Sequence, residues 1–149
     1  MTIDTTAVGT TLRPVDMLVE RGRLRLFCTA IGETDPVYTD VSAARAAGHR
    51  DLPVPPTFLC AVQHERDDPF DWLRAIGGDL ERVLHGEQSF TYHAMAYAGD
   101  HLTMSSTITD IYQRKGGALT FIVRDAAIRR GAEAVADLRD VVIVRGDAA

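Results

Sequence analysis

The chain has 149 residues, of which 46% are hydrophobic and 25% charged, with a formal net charge of −5 at pH 7. That length suits one domain that buries its own core, because roughly two thirds of the unfolded surface disappears on folding at this size. The negative balance and the lack of a basic run or basic-aromatic stripe argue against a nucleic-acid or membrane-surface binder, and no apolar run approaches the ~18 residues of a membrane span.

Residues 1–12 read as a loose arm on a single domain covering 1–149, because Thr5, Thr6, Gly9, Thr10 and Thr11 offer little to bury. Met1 to Leu12 has no apolar core of a signal peptide, so a cytoplasmic setting is expected. Pro14 to Glu20 reads as a short strand. Arg23 to Ile31 reads as a helix, since Leu24, Phe27, Cys28 and Ile31 recur at i, i+3, i+4 and i+7, and Gly32 follows as its cap. Pro36 biases Asp35 toward extended or turn geometry, and Asp40 is placed to cap a short helix through Ala47 that Gly48 closes.

Three prolines mark His49 to Pro56 as a loop, with Pro56 suited to a first helical turn. The next helix spans Thr57 to about Arg66, where Asp67-Asp68-Pro69 interrupts it, and a second amphipathic stretch runs from Phe70 to Ile76. After Val83 the period changes to two. Gln88, Phe90 and Tyr92, then Leu102, Met104, Ser106 and Ile108, then Leu119, Phe121 and Val123, alternate with polar neighbours, and Leu138, Val142 and Val144 close the series with Asp140 breaking the pattern. Gly99-Asp100, Gly116-Gly117 and Gly131 separate the runs as turns, which predicts an antiparallel sheet. Helices first and strands after predict an α+β domain with helix on one face of the sheet. No internal repeat or linker is present.

No nucleophile elbow, phosphate loop or dinucleotide fingerprint occurs. Cys28 and Cys60 lie in apolar surroundings and read as small buried hydrophobes rather than reactive thiols. His64 with Asp67 and Asp68 lacks metal-ligand spacing and reads as a solvated helix end, so no metal is expected. Asp35, Tyr38 and Asp40 form a polar cluster. It reads either as a substrate-facing loop or as an Asx turn, a half-buried tyrosine and a helix cap, and periodicity favours the latter. His85 and Glu87, two apart on a strand, are expected on one face, as an acid/base pair or as interface hydrogen-bonding groups, while Gly86 permits close approach of another backbone.

Three segments together resemble the MaoC-like dehydratases, and specifically the N-terminal, catalytically degenerate half of such proteins. They are Leu26-Phe27 through Glu33-Thr34-Asp35-Pro36-Val37-Tyr38, then Pro55-Pro56-Thr57-Phe58, then Leu84 through His93 with Ala98-Gly99-Asp100-His101-Leu102. The resemblance implies a hotdog fold, a long central helix wrapped by a curved antiparallel β-sheet, that pairs with a second hotdog. It implies reversible addition of water to a trans-2-enoyl thioester of coenzyme A or acyl carrier protein, without metal or redox cofactor. Active R-specific hydratases carry D-x-N-P-φ-H with φ aliphatic. Here Glu33 stands at the aspartate and Tyr38 at the histidine. Tyrosine, with a reference pKa near ~10 against ~6.5 for histidine, is a poor general base at neutral pH.

The expectation is therefore a substrate-binding subunit of an acyl-thioester (3R)-hydroxyacyl dehydratase or enoyl hydratase, in fatty acid or polyketide metabolism, paired with a separately encoded catalytic hotdog. Its candidate substrate-facing residues are Asp35, Tyr38, Pro56 and Thr57, with helix-start N–H groups near Thr57 facing a thioester carbonyl. One alternative is a self-sufficient homodimeric hydro-lyase, or a secondary-metabolism dehydratase or cyclase, with His85 or His93 as base helped by Glu33 or Asp35, and Tyr38 as a further acid/base candidate. The other is a noncatalytic acyl-thioester-binding module. Arg45, Arg50, Arg114 and Lys115 are cations that could meet coenzyme A phosphates or simply be scattered surface charge.

Overall fold

The computed structural model describes residues 2–146. The helical half comes first: β1 (Val15–Leu18), α1 (Arg21–Ile31), α2 (Val41–Ala46), a 3-10 helix (Pro56–His64) and α3 (Asp71–Ala75). The long strands follow: β2 (Val83–Tyr92), β3 (His101–Arg114), β4 (Leu119–Arg130) and β5 (Glu133–Arg145). They form one five-stranded sheet in the order β1-β3-β4-β5-β2, every pairing antiparallel.

Local chemistry sets the helix ends. Gly32 adopts φ 73 and ends α1 by donating its N–H to carbonyls of the last turn, a conformation open to glycine at little cost. The Asp40 carboxylate accepts from the Ser42 and Ala43 N–H groups and starts α2. The expected long central helix is instead the nine-residue 3-10 segment Pro56–His64. Prolines at 53, 55 and 56 bound it on one side and Asp67-Asp68-Pro69 on the other, so no longer helix fits between them. Its Phe58, Leu59 and Val62 are buried against the sheet.

Register shifts between Ile108 and Asp110, between Ile128 and Arg129, and between His85 and Glu87 interrupt the ladders. Each inserts a residue on one strand and bends it. The insertion at Gly86 also overturns the expected shared face of His85 and Glu87. Their cross-strand partners are the adjacent residues Val142 and Val141, so the two side chains lie on opposite faces. A Cβ on Gly86 would stand 3.0 Å from the Val141 carbonyl oxygen and 2.9 Å from Ile143 Cδ1, so the expected close backbone approach is present.

Two further expectations are corrected. Residues 2–12 are no loose arm: Ile3, Ala7 and Leu12 are buried beside Trp72 and Ile108, and the Gly9 and Leu12 N–H groups bond to the Ile108 and Ser106 carbonyls at 2.8 Å. Met1, the first residue of that arm, lies outside the described residues. On β4 Thr120, Ile122 and Arg124 are buried, with Val123 beside them, while Leu119 and Phe121 are only half-buried. Phe121 instead stacks on Tyr112 of β3, with ring centroids 5.0 Å apart. Arg124 points inward because Asp140, its cross-strand neighbour on β5, is buried with it.

Candidate functional site

A cavity of about 400 Å³ opens between the loop after α1, the start of the 3-10 helix and the end of β2. Its wall includes Tyr38, Val54, Pro56, Leu59, Tyr92, His93 and Met95. It is mostly apolar, with two phenols and one imidazole as polar features.

The turn that carries Tyr38 follows from its sequence. Gly32 ends α1, and the Glu33 carboxylate accepts from the Asp35 N–H at 2.8 Å. The Asp35 carboxylate in turn accepts from the Val37 N–H at 2.9 Å, capping the 3-10 turn Pro36–Tyr38. Arg25 Nε donates to the Thr39 carbonyl at 2.8 Å and ties this turn to α1. Both carboxylates thus serve the backbone, and neither lines the cavity. Burial, with the Glu33 and Asp35 charges adding to it, pushes the Tyr38 phenol above its ordinary value. Tyr38 is therefore a neutral hydroxyl at physiological pH, able to donate a hydrogen bond and unsuited to removing a proton.

On the opposite wall the Tyr92 hydroxyl donates to the Pro56 carbonyl, joining the edge of the sheet to the start of the 3-10 helix. Burial raises the Tyr92 phenol as well. His93 Nε2 pairs with Asp137 Oδ2 at 2.8 Å, across from β5.

Of the sequence-predicted site residues, Tyr38, Pro56 and His93 share this cavity. Glu33 and Asp35 stand behind Tyr38, and Thr57 is exposed beside Pro56 without lining the wall. His85 lies apart, in a second cavity of about 360 Å³ at the other end of the same helix, with Gln63, His64, Trp72, Gln88 and the Arg124–Asp140 pair. Tyr92, Met95 and Asp137 were not among the predicted site residues. Tyr92 carried a signal, its place in the alternation of β2, whereas the Asp137 contact spans 44 residues and has no local mark. Among the described residues no group of three or more potential metal ligands comes together. No helix among them is long and apolar enough to cross a membrane.

A family model for the FAS1-like, dehydratase domain region matches residues 6–138. A UPF0336 protein of Leifsonia xyli is 40% identical over 131 residues, covering 87% of each chain. A UPF0336 protein of Streptomyces griseus is 36% identical over 143 residues, covering 95% of each. Among solved structures, the C-terminally truncated HadBC (3R)-hydroxyacyl-ACP dehydratase complex of Mycobacterium tuberculosis superposes with a TM-score of 0.80 at 22% identity, over 95% of this chain and 99% of that one. The ChsH1–ChsH2 complex of the same organism gives 0.73 at 24% identity, over 97% and 88%. The (R)-hydratase of A. caviae gives 0.63 at 16% identity, over 91% and 94%. The fold is the α+β hotdog, and the MaoC-like resemblance of the sequence holds.

Proposed function

The chain belongs to the FAS1-like dehydratase domain region family, and from that membership we propose that it is the substrate-binding subunit of a (3R)-hydroxyacyl thioester dehydratase or enoyl hydratase, paired with a catalytic hotdog chain. The observation that carries this reading is the state of the hydratase-motif segment. It borders an apolar cavity, yet both of its carboxylates cap backbone and a neutral Tyr38 stands at the histidine position. A cavity with mostly apolar walls and no general base on its motif segment suits holding an acyl group while another chain moves the protons.

In the hydration direction water adds across the enoyl double bond, its hydroxyl to C3 and a proton to C2. The partner supplies the base and acid, and this chain contributes Tyr38 as a fixed hydrogen-bond donor and the walls that exclude water. The reaction is redox-neutral and the reading assigns it no metal or redox cofactor. The substrate is a thioester of coenzyme A or acyl carrier protein, which places the protein in the cytoplasm. Pairing is supported by β2, a ten-residue edge strand with exposed Leu84 and Tyr92. Two of the structural neighbours are themselves complexes of two different chains.

The test is hydration of crotonyl-CoA, followed as loss of enoyl absorbance. The chain is assayed alone, then with a catalytic MaoC-like hotdog from the same gene neighbourhood, against that partner by itself. Turnover in the mixture beyond the partner's own is expected. No gain on mixing would overturn the subunit reading.

The His93–Asp137 pair on the cavity wall favours one second reading, a homodimeric hydro-lyase in which Asp137 orients His93 as base. It requires activity from the chain alone that His93→Ala abolishes.

A further inference from the structure

The face of the sheet turned away from the helices changes character along the strands. Toward the β4–β5 turn it is polar, with Thr91, Ser105, Thr107 and Asp137 beside the Asp125–Arg139 pair. Toward the β3–β4 turn it is apolar. Tyr112, Phe121, Ile143 and Leu84 form one unbroken rung across β3, β4, β5 and β2, each the cross-strand partner of the next. Val123 and Val141 stand side by side in the neighbouring rung. None of these six belongs to the two core clusters, which gather on the opposite face around Phe58 and Trp72. Leu84 is 46% exposed, and Tyr112, Phe121 and Ile143 are half-buried. Apolar side chains gathered at one end of an otherwise polar face mark a contact surface, where the same residues scattered singly would not.

Charge brackets this patch. On one side of the Tyr112–Leu84 rung, Arg114 and Arg145 flank Leu119 as its two cross-strand partners. On the other side, Asp110 and Glu87 end the valine rung as partners of Val123 and Val141. All four charged residues are exposed. The Arg114 guanidinium lies 4.8 Å over the Tyr112 ring, which holds its charge against the patch. Cations on one side and anions on the other make the surface complementary to its own image turned over. Arg114 and Asp110 stand two residues to either side of Tyr112 on β3, and Arg145 and Val141 two to either side of Ile143 on β5. A two-fold axis along the Tyr112–Leu84 rung therefore packs that rung on its copy. Arg114 of each chain then faces Asp110 of the other, and Arg145 comes up beside Val141 and Glu87.

We infer that two copies of this chain associate face to face through this patch. Edge pairing at β2 uses that strand's backbone and leaves the face open, so the inference stands apart from the dehydratase reading. The patch measures about 14 Å across four strands and about 14 Å along them, from ~4.8 Å between strands and ~3.4 Å per residue. That is the small end of specific interfaces, so the association is a micromolar one.

The test is sedimentation of the full chain, alone and with its catalytic hotdog partner, over a concentration series through the micromolar range. The particle mass is expected to double with concentration. Arg114→Asp and Asp110→Arg, each checked for native circular dichroism, set like charges against each other at both symmetric contacts. Each is expected to weaken the doubling at least about tenfold in Kd. An equimolar mixture of the two variants restores opposite charges at both contacts and should regain the parent's affinity, which damage to the fold would not allow. A mass that stays constant with concentration would leave the face to solvent or to a different molecule and overturn the inference. Reversals without effect, or a mixture no tighter than either variant alone, would also overturn it, and the dehydratase reading would be untouched.

Discussion

Two ion pairs on the same two strands make a controlled experiment. Arg124 on β4 faces Asp140 on β5, and the next rung pairs Asp125 with Arg139. Both are well formed, at 2.6 and 3.2 Å inside and 2.6 and 2.9 Å outside. Their side chains differ in exposure, 9% and 10% for Arg124 and Asp140 against 59% and 40% for Arg139 and Asp125. Removing one partner of a buried pair leaves an uncompensated charge and costs about 3–5 kcal/mol, whereas an exposed pair contributes about 0–1 kcal/mol. Asp140→Ala leaves Arg124 its bond to Gln63 and its contact with Trp72, which puts the expected loss near the lower figure, about 3 kcal/mol. Asp125→Ala is expected to cost under about 1 kcal/mol. Replacing both buried partners, Arg124→Met with Asp140→Leu, should recover most of the loss, because no charge is then stranded. Urea unfolding at one fixed protein concentration, with unchanged m-values, measures all three. If Asp140→Ala cost no more than Asp125→Ala, the inner pair would not be shielded from solvent and its place in the second cavity would be wrongly described.

Two other predictions concern the buried Asp100 and the motif segment beside the first cavity. Asp100 is 5% exposed, and burial alone would raise its pKa, but hydrogen bonds from Arg50, the Tyr97 N–H and Arg130 outweigh burial and hold it below the usual carboxylate value. A depressed folded pKa contributes stability that is fully present above the unfolded value of ~3.9 and is lost as pH falls through the folded value. Asp100→Asn should therefore lower the unfolding free energy from urea titration at pH 7 by about 2 kcal/mol, as expected for hydrogen bonds to charged groups, and this gap should narrow below about pH 4. A gap that widens on acidification would contradict the sign. The second concerns the motif: Glu33→Asp, Asp35→Asn and Tyr38→His together restore the hydratase pattern on a segment already bordering the cavity. The triple variant is expected to hydrate crotonyl-CoA at least about tenfold faster than the parent chain, on the scale of general-base contributions, and an unchanged rate would place the defect outside this segment.

What could be read from the sequence is what is settled within a few residues. Gly32, the Asp35 and Asp40 caps, and the turns at Gly99, Gly116-Gly117 and Gly131 were legible because turn and cap chemistry is local. Tyr38 and Pro56 came from the family resemblance, since periodicity marked Tyr38 only as half-buried. What could not be read depends on distant partners. The first twelve residues look too polar to bury anything until Trp72 and Ile108 are brought against Ile3 and Leu12. Arg124 reads as an outward residue until Asp140, sixteen positions on, is placed across from it. The same holds for β2, where a period of two carried through Gly86 would put Glu87 in line with Val83 and His85. The inserted glycine shifts the phase by one, so His85 and Val83 line the second cavity together with Gln88. Had the strand run straight, the carboxylate of Glu87 would have taken the place of the neutral donors and acceptors there, and the cavity would favour a cation. The chemistry of the second cavity is thus decided by one backbone irregularity, while that of the first is written in consecutive residues of a single loop.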